Sequence, residues 1–485
     1  MNKAFIKYVL SSVVGIESLF LVLVSLISIL YRENVFFPYF VTGLVFGIVS
    51  LFGLRKKPES NVFFAKDGFV SVALGWITLS VIGAIPIFAT GEIPNYIDAL
   101  FEIVSGFTTT GSTIINDVTA ISHASLFWRS FTHWIGGMGI LVFVLAILPN
   151  AGGSAIHIMR AESPGPSVGK LVSKISNTAK ILYAIYAGIT VLEAICMLIC
   201  GMPIFDSITL SLATAGTGGF GILNDSFVSY SSSVQVVATV FMLLFGINFN
   251  VYYFIIIGNV KDALKCEEMR YYIGIVVISA LLIAFNTLSL FGNIFVSLRH
   301  AFFQVATVIT TTGFASHDFN TWPTFSKTIL VTLMFVGACA GSTGGGIKVS
   351  RIVILFKEMR NSLHKYAHPR EVNVVKFEGK KVDNETVNSI KSYLGFFVII
   401  FVASFVLISL NNLDFTTNFT AVTAAINNIG PGLEKVGPMS NFNCFNHFSK
   451  VVLTFDMLAG RLELIPMLIL FAPFSYMKKR KQSNA

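Results

Sequence analysis

Four short runs of this 485-residue chain combine hydroxyl or amide side chains with a glycine. The first is Phe107-Thr108-Thr109-Thr110-Gly111-Ser112-Thr113 and the second is Ala213-Thr214-Ala215-Gly216-Thr217-Gly218-Gly219-Phe220. The third is Ile309-Thr310-Thr311-Thr312-Gly313-Phe314 and the fourth is Ile426-Asn427-Asn428-Ile429-Gly430-Pro431-Gly432. The chemistry such runs offer is that of backbone oxygen. Glycine supplies torsions that other residues resist, so the chain can leave a helix and free its carbonyls. Four groups of such carbonyls around one axis replace the hydration shell of a cation.

With Gly111, Gly219, Gly313 and Gly430 taken as equivalents, the separations are 108, 94 and 117 residues. An acidic or amide pair follows in three cases: Asn116-Asp117, Asn224-Asp225 and His317-Asp318. Each run ends a short apolar stretch, near 97–110, 204–215, 299–312 and 415–429. Segments of about 10–14 residues are too short to span a bilayer and suit re-entrant positions. Their C-terminal, negative ends would face the axis and favour a cation. The expected ring is Thr110, Gly111 and Ser112; Gly218, Gly219 and Phe220; Thr312, Gly313 and Phe314; and Ile429, Gly430 and Pro431. The competing reading is four glycine-rich extracellular turns, but ordinary turns need not recur in register behind a short apolar helix. The second run also carries Gly216, so its register is open by up to three residues. In the fourth, Gly430 is preferred to Gly432 because its spacing from the helix end matches the others. So irregular a ring is expected to discriminate less sharply than four identical loops.

These runs need elements to position them. Hydrophobic residues make up 54% of the chain and charged residues 12%, about half the roughly 25% of soluble domains. That excludes a disordered chain and points to an integral membrane protein. Apolar stretches long enough to span lie near 9–30, 36–54, 68–90, 127–148, 181–201, 234–258, 272–292, 326–356, 392–410 and 448–475. Long and short stretches alternate four times. The expected fold is an all-α integral membrane protein with four helix–re-entrant loop–helix repeats around a central pore. Residues 1–60 form two extra N-terminal helices, and the repeats occupy 61–160, 161–262, 263–365 and 366–485. The first apolar run continues to about Leu30, too long for a signal-peptide core, so it is read as a retained helix with Glu17 buried against a neighbour.

The net charge is +9, but its basic residues sit in short connecting segments such as Arg55-Lys56-Lys57, 157–180, 357–381 and Lys478–Lys481. Segments such as Gly91–Ala99 and Asn224–Ser232 are poor in them. Lys/Arg-rich loops are retained on the cytoplasmic side. The charge is therefore a topology signal that puts both termini inside, not a nucleic-acid footprint. Five cysteines without a CxxC pair offer neither a disulfide scaffold nor a zinc cluster.

Two further sites stand out. Gly341, Gly344, Gly345 and Gly346 fall within six residues of the apolar segment 326–356. Each glycine costs a helix about 1 kcal/mol relative to alanine, so this helix should break near the membrane centre, where the loop can obstruct a pore. Close helix packing through small residues is the alternative. Lys348 is expected at the cytoplasmic end of the break, where a solvated role and a pore role are both open. Arg461, with Glu463 nearby, lies in the last apolar segment and is either paired structurally or an electrostatic barrier in the pore. Asp98, Glu102 and Asp206 are placed near the starts of short helices, where acids suit the positive helix end, with attraction of cations at the mouth as the alternative role. Enzyme signatures fail: the 8 histidines form no HExxH, the glycines before Lys348 lack P-loop spacing, and Gly216–Gly221 follows no strand.

Taken together, these residues resemble the membrane subunit of the Trk/Ktr/HKT potassium transporters, closest to bacterial Trk-type subunits. Further carriers of the resemblance are Trp134-Ile135-Gly136-Gly137-Met138-Gly139-Ile140, Arg160–Pro166, Gly337–Val349, His368-Pro369-Arg370 and Gly460-Arg461-Leu462-Glu463. It implies potassium as the transported ion and no organic cofactor. It also implies an intramembrane gate at Gly341–Gly346 and favours Arg461 as a pore barrier. It further implies a homodimer in the bacterial cytoplasmic (inner) membrane and a separate cytosolic nucleotide-binding regulatory ring docked on the basic loops. Two rival classes are weighed against it. A solute carrier would show two inverted halves and a polar midplane pocket. A membrane-embedded enzyme would need converging titratable residues.

Overall fold

A computed structural model describes residues 2–55, 65–139, 175–368, 370 and 373–471. Along the first part run α1 (Lys3–Leu30), α2 (Phe36–Leu54), α3 (Ala65–Ala89), α4 (Tyr96–Phe107) and α5 (His123–Gly137). Then come α6 (Ile175–Ile199), α7 (Ile204–Ala215), α8 (Ser232–Phe245), α9 (Phe249–Ile256), α10 (Glu267–Asn286) and α11 (Ile294–Ile309). The remainder holds α12 (Thr324–Val336), α13 (Val349–Ala367), α14 (Asn384–Ile408), α15 (Phe415–Asn427), α16 (His447–Arg461) and α17 (Ile465–Phe471). One antiparallel hairpin, β1 (Lys376–Phe377) with β2 (Lys380–Lys381), pairs Lys376 with Lys381. Its turn, Glu378-Gly379, has φ of 52° and 70°, the doubly positive pattern of a two-residue type I′ hairpin.

Among the described residues, six helices are long and apolar enough to cross a bilayer, and the chain is a multi-pass membrane protein. The four short helices have 12, 12, 16 and 13 residues. At about 1.5 Å per residue none covers a hydrocarbon core of about 30 Å. Asn95, Asn293 and Asp414 cap three of them by accepting backbone N–H bonds, and Pro203 precedes the fourth, so each start is fixed by local sequence.

The expected single span over 234–258 is instead two helices meeting at 91°. The bend falls at Gly246-Ile247-Asn248, where Asn248 starts the second piece by accepting the Asn250 N–H at 2.9 Å. The carbonyls freed there are taken up from another part of the chain: Cys339 N–H donates to Gly246 O at 3.1 Å and Thr343 N–H to Phe245 O at 3.4 Å. The last stretch, 448–475, likewise breaks at 462–464. The segment 326–356 breaks where its glycines require, leaving 337–348 outside any helix.

Glu17 is fully buried on α1, with its carboxylate over Gly83 of α3. Lys56-Lys57, Arg160–Pro166, the basic stretch up to Lys174 and Lys478–Lys481 lie outside the described residues.

Candidate functional site

The four short helices end in one way. Thr109, Thr217, Thr311 and Asn428 adopt left-handed torsions, with φ of 54°, 53°, 57° and 56°. The next N–H in each run reaches back five residues: Thr110 to Ser105 O (2.8 Å), Gly218 to Ala213 O (2.9 Å), Thr312 to Thr307 O (2.8 Å) and Ile429 to Ala424 O (2.9 Å). This is the Schellman closure of a helix C-terminus. It normally uses glycine at the left-handed position. A β-branched threonine there is strained by about 1–3 kcal/mol. Two residues later come Gly111, Gly219, Gly313 and Gly430, at φ of 80°, 78°, 92° and 99°. The shared torsions fix the register that the sequence left open, with Gly219 and Gly430 as the equivalents of Gly111 and Gly313.

The four runs meet in a closed cycle. A side chain on Gly111 would collide with Gly218 O, one on Gly219 with Thr312 O, and one on Gly313 with Ile429 O. A Cβ on Gly430 would lie 2.8 Å from Thr110 O. Each glycine thus abuts the carbonyl just before the next run's glycine, and the fourth returns to the first. The segments that follow close the same cycle outside. Asn224 Nδ2 donates to Asp117 at 2.8 Å and Ala315 N–H to Ser226 at 3.1 Å. Glu434 N–H donates to Asn320 at 3.0 Å and Phe442 N–H to Thr113 O at 2.8 Å. The bonds from Thr119 and Asn224 hold the exposed Asp117 carboxyl below its ordinary range. All four glycines line one cavity of about 80 Å³, together with Ser112, Phe220 and Pro431.

Side chains around the cycle lock it. Thr108 and Thr110 share a hydroxyl bond of 2.8 Å, and Thr310 and Thr312 one of 2.7 Å. Ser112 donates to Gly430 O at 3.1 Å, and Asn428 Nδ2 donates to Thr110 Oγ1 at 2.9 Å. The buried His133 ring bridges Gly106 O (2.7 Å) and the Phe220 N–H (3.3 Å). That ring occupies the space a side chain at Gly218 would need, which is why glycine stands where the other runs carry threonine or isoleucine. Phe314 is fully buried behind the third glycine.

The placement of Glu102 at a helix start is corrected. It lies in the second half of α4, is fully buried, and pairs with buried Arg129 at 2.8 Å. Its carboxylate also accepts the Thr113 hydroxyl and the Ile114 N–H, both at 2.9 Å, so it clamps the chain leaving the first run. Arg129 in turn lies over the Phe220 ring at 4.1 Å. Asp98 and Asp206 do sit in first helical turns and have defined partners, Lys450 at 2.8 Å and the Tyr230 hydroxyl at 2.8 Å.

The glycine segment lies against the helix-end side of the cycle. Gly345 N–H donates to Thr311 Oγ1 at 2.6 Å, and a Cβ on Gly344 would come within 2.8 Å of Thr310 O. Phe249 N–H donates to Gly341 O at 2.9 Å. Gly346 is left-handed at φ 76°. Lys348 is not solvated: it is 3% exposed and its ammonium donates to Gly344 O, because the chain turns back into the protein before α13 begins. Arg461 donates to Thr343 O at 2.9 Å and to Gly136 O and Gly137 O at 2.6 and 2.8 Å. Glu463 is taken by Arg351. Gly341, Gly344, Gly345, Gly346, Lys348 and Arg461 line a second cavity of about 80 Å³ on this side.

The residues at 33–291 and 287–479 match the family model TrkH, described as cation transport protein. The Trk system potassium uptake protein TrkH of Salmonella typhimurium is 35% identical over 466 residues, covering 93% of this chain and 95% of the relative. The chain belongs to the TrkH family of cation transport proteins. Another relative, the Trk system potassium uptake protein TrkG of Escherichia coli, is 33% identical over 460 residues, 92% of this chain and 93% of its own. The crystal structure of the potassium transporter TrkH from Vibrio parahaemolyticus superposes with a TM-score of 0.88 at 30% identity, covering 98% of this chain and 100% of that one.

Proposed function

We propose that this TrkH-family chain takes up potassium across the bacterial cytoplasmic membrane. The ion would pass through the cycle of carbonyls at Thr110–Ser112, Gly218–Phe220, Thr312–Phe314 and Ile429–Pro431. The observation that carries the reading is the closure of that cycle, with four left-handed residues and four glycines in one order around one cavity. Four helix C-termini converge on it, and their partial negative charge favours a cation. Carbonyls held by neighbouring backbone replace an ion's water without reorganising. Relatives named as potassium uptake proteins over more than nine-tenths of the chain support the ion's identity.

Below the cycle, Gly341–Gly346 acts as the gate, with Lys348 and Arg461 as an electrostatic barrier on its cytoplasmic side. Two cations on the wall of a narrow cavity raise the energy of a passing cation until the loop moves. The chain works as a homodimer with cytoplasmic termini. It is regulated by a cytosolic nucleotide-binding subunit docked on the basic segments 157–180 and 357–381, and no organic cofactor takes part.

Flux into liposomes holding the purified protein, compared for K⁺, Rb⁺, Na⁺ and Li⁺ gradients, tests this reading. Flux favouring K⁺ and Rb⁺ is expected. No flux of any of these ions, even after shortening Gly341–Gly346, would return the molecule to the solute-carrier class.

A further inference from the structure

The glycine segment is held at both ends by one carboxylate. Glu268 is the second residue of α10, distant in sequence from the loop, and is 3% exposed. Its Oε1 accepts the Ala340 N–H at 2.7 Å and the Ser350 N–H at 3.0 Å. Ala340 immediately precedes Gly341, and Ser350 is the second residue of α13, so a single oxygen joins the chain just before the glycines to the first turn of the helix after them. A glutamate in a first helical turn ordinarily serves its own helix end. Here that task falls to another residue. Glu378, in the turn of the hairpin, accepts the N–H groups of Glu267 and Glu268, each at 3.0 Å, and its own N–H donates to Glu267 at 2.9 Å. The hairpin is tied to α13 as well, since Lys357 bonds to Glu267 and donates to Lys376 O at 2.8 Å. The Glu268 carboxylate is thereby free to turn inward, on a helix start fixed from the cytosolic side.

We propose that Glu268 is the positioning residue that latches the Gly341–Gly346 loop closed. The inference rests on the reading of that loop as the gate. Two charge-assisted bonds converge on one buried oxygen, and losing that oxygen leaves two buried N–H groups without an acceptor, a costly state that the loop relieves by moving. The loop's glycines resist no such movement, whereas the carbonyl cycle above is held by its own backbone and stays in place.

The test compares Glu268→Ala, Glu268→Gln and Gly345→Ala by flux of K⁺ and Na⁺ in liposomes, with amide hydrogen exchange on the same samples. Glu268→Ala is expected to raise K⁺ flux about tenfold with the K⁺/Na⁺ ratio unchanged. Exchange should quicken at Ala340 and Ser350 and not at Thr110 or Thr312. Glu268→Gln keeps an acceptor oxygen for both bonds and is expected to stay within about twofold of the parent. A general loss of structure would quicken exchange throughout and would not be rescued by glutamine. If Glu268→Ala leaves flux and exchange at the parent's values while Gly345→Ala alters flux, the latch is overturned and the gate stands. If neither variant alters flux, the gate reading itself falls.

Discussion

The carbonyl cycle and the glycine loop against it are both irregular backbone inside a membrane protein, yet they are held by different means. Each run of the cycle is closed by its own helix end, and its glycine is packed against the neighbouring run's carbonyl. The glycine loop depends on single contacts from distant places: Glu268 at its ends, Thr311 at Gly345, Arg461 at Thr343, and the carbonyls of Phe245 and Gly246 exposed by the bend after α8. The same helix closure and close glycine–carbonyl packing, repeated four times, make a site that keeps its shape. Contacts of mixed kind, side-chain and backbone, none of them repeated, make one that moves when a clamp such as Glu268 is released. On the proposed function, fixed selectivity and adjustable flow fall to different parts of the chain.

The largest expected effect comes from breaking the cycle's buried brace. Glu102→Ala leaves Arg129 charged and without its carboxylate in a fully buried position, and removing one partner of such a pair costs about 3–5 kcal/mol. Thermal unfolding in detergent should show a clear fall in Tm; an unchanged Tm would mean the brace is dispensable. Next is Gly313→Ala. Its Cβ meets Ile429 O at a φ of 92°, a strain of about 1–3 kcal/mol. It should lower the K⁺/Na⁺ flux ratio about tenfold. Retained selectivity would show that the third run is a plain turn. Arg461→Gln removes a charge from the loop side alone. Flux should rise several-fold, by about 1 kcal/mol of barrier, while ion preference stays fixed; altered preference would erase the division between the two regions. The smallest effect belongs to Asp117→Asn at the outer seam, where the exposed bond to Asn224 is worth little. Ion preference should not change, and flux should hold constant as the outside is acidified through the carboxylate range. In the parent, the lowered Asp117 carboxyl keeps its contribution above its ordinary range and loses it only as pH falls below.

What the sequence shows clearly is local. The short helices and their glycine ends are set by caps, apolar length and torsional need within a dozen neighbouring residues, and α2 spans the residues expected of it. The break at Gly341–Gly346 was legible for the same reason, since consecutive glycines cannot sustain a helix. The contacts that hold the site were not legible. His133 is one of several polar residues on α5, and only folding sets its ring against Gly218. Glu102 reads as a helix-start acid until Arg129 arrives from α5. Glu268 stands in a charged stretch with Glu267 and Arg270, and nothing local to it points to its partners beyond Cys339. The bend at Gly246–Asn248 has a local signal in glycine followed by a capping asparagine, but what sustains it is the glycine loop that occupies the freed carbonyls. Of the two roles left open for Lys348, the sequence could not choose the buried one, because the chain's return into the protein depends on contacts with Val336 and Gly344.

The most direct test of the division is one paired measurement, the K⁺/Na⁺ flux ratio and the absolute K⁺ flux in liposomes for Gly313→Ala and Gly345→Ala side by side. A Cβ on Gly345 would lie 2.6 Å from Asn427 O, so that variant should displace the loop and change absolute flux with the ratio intact. Gly313→Ala should change the ratio. Both variants shifting the same quantity would contradict the assignment of selectivity to the cycle and flow to the loop.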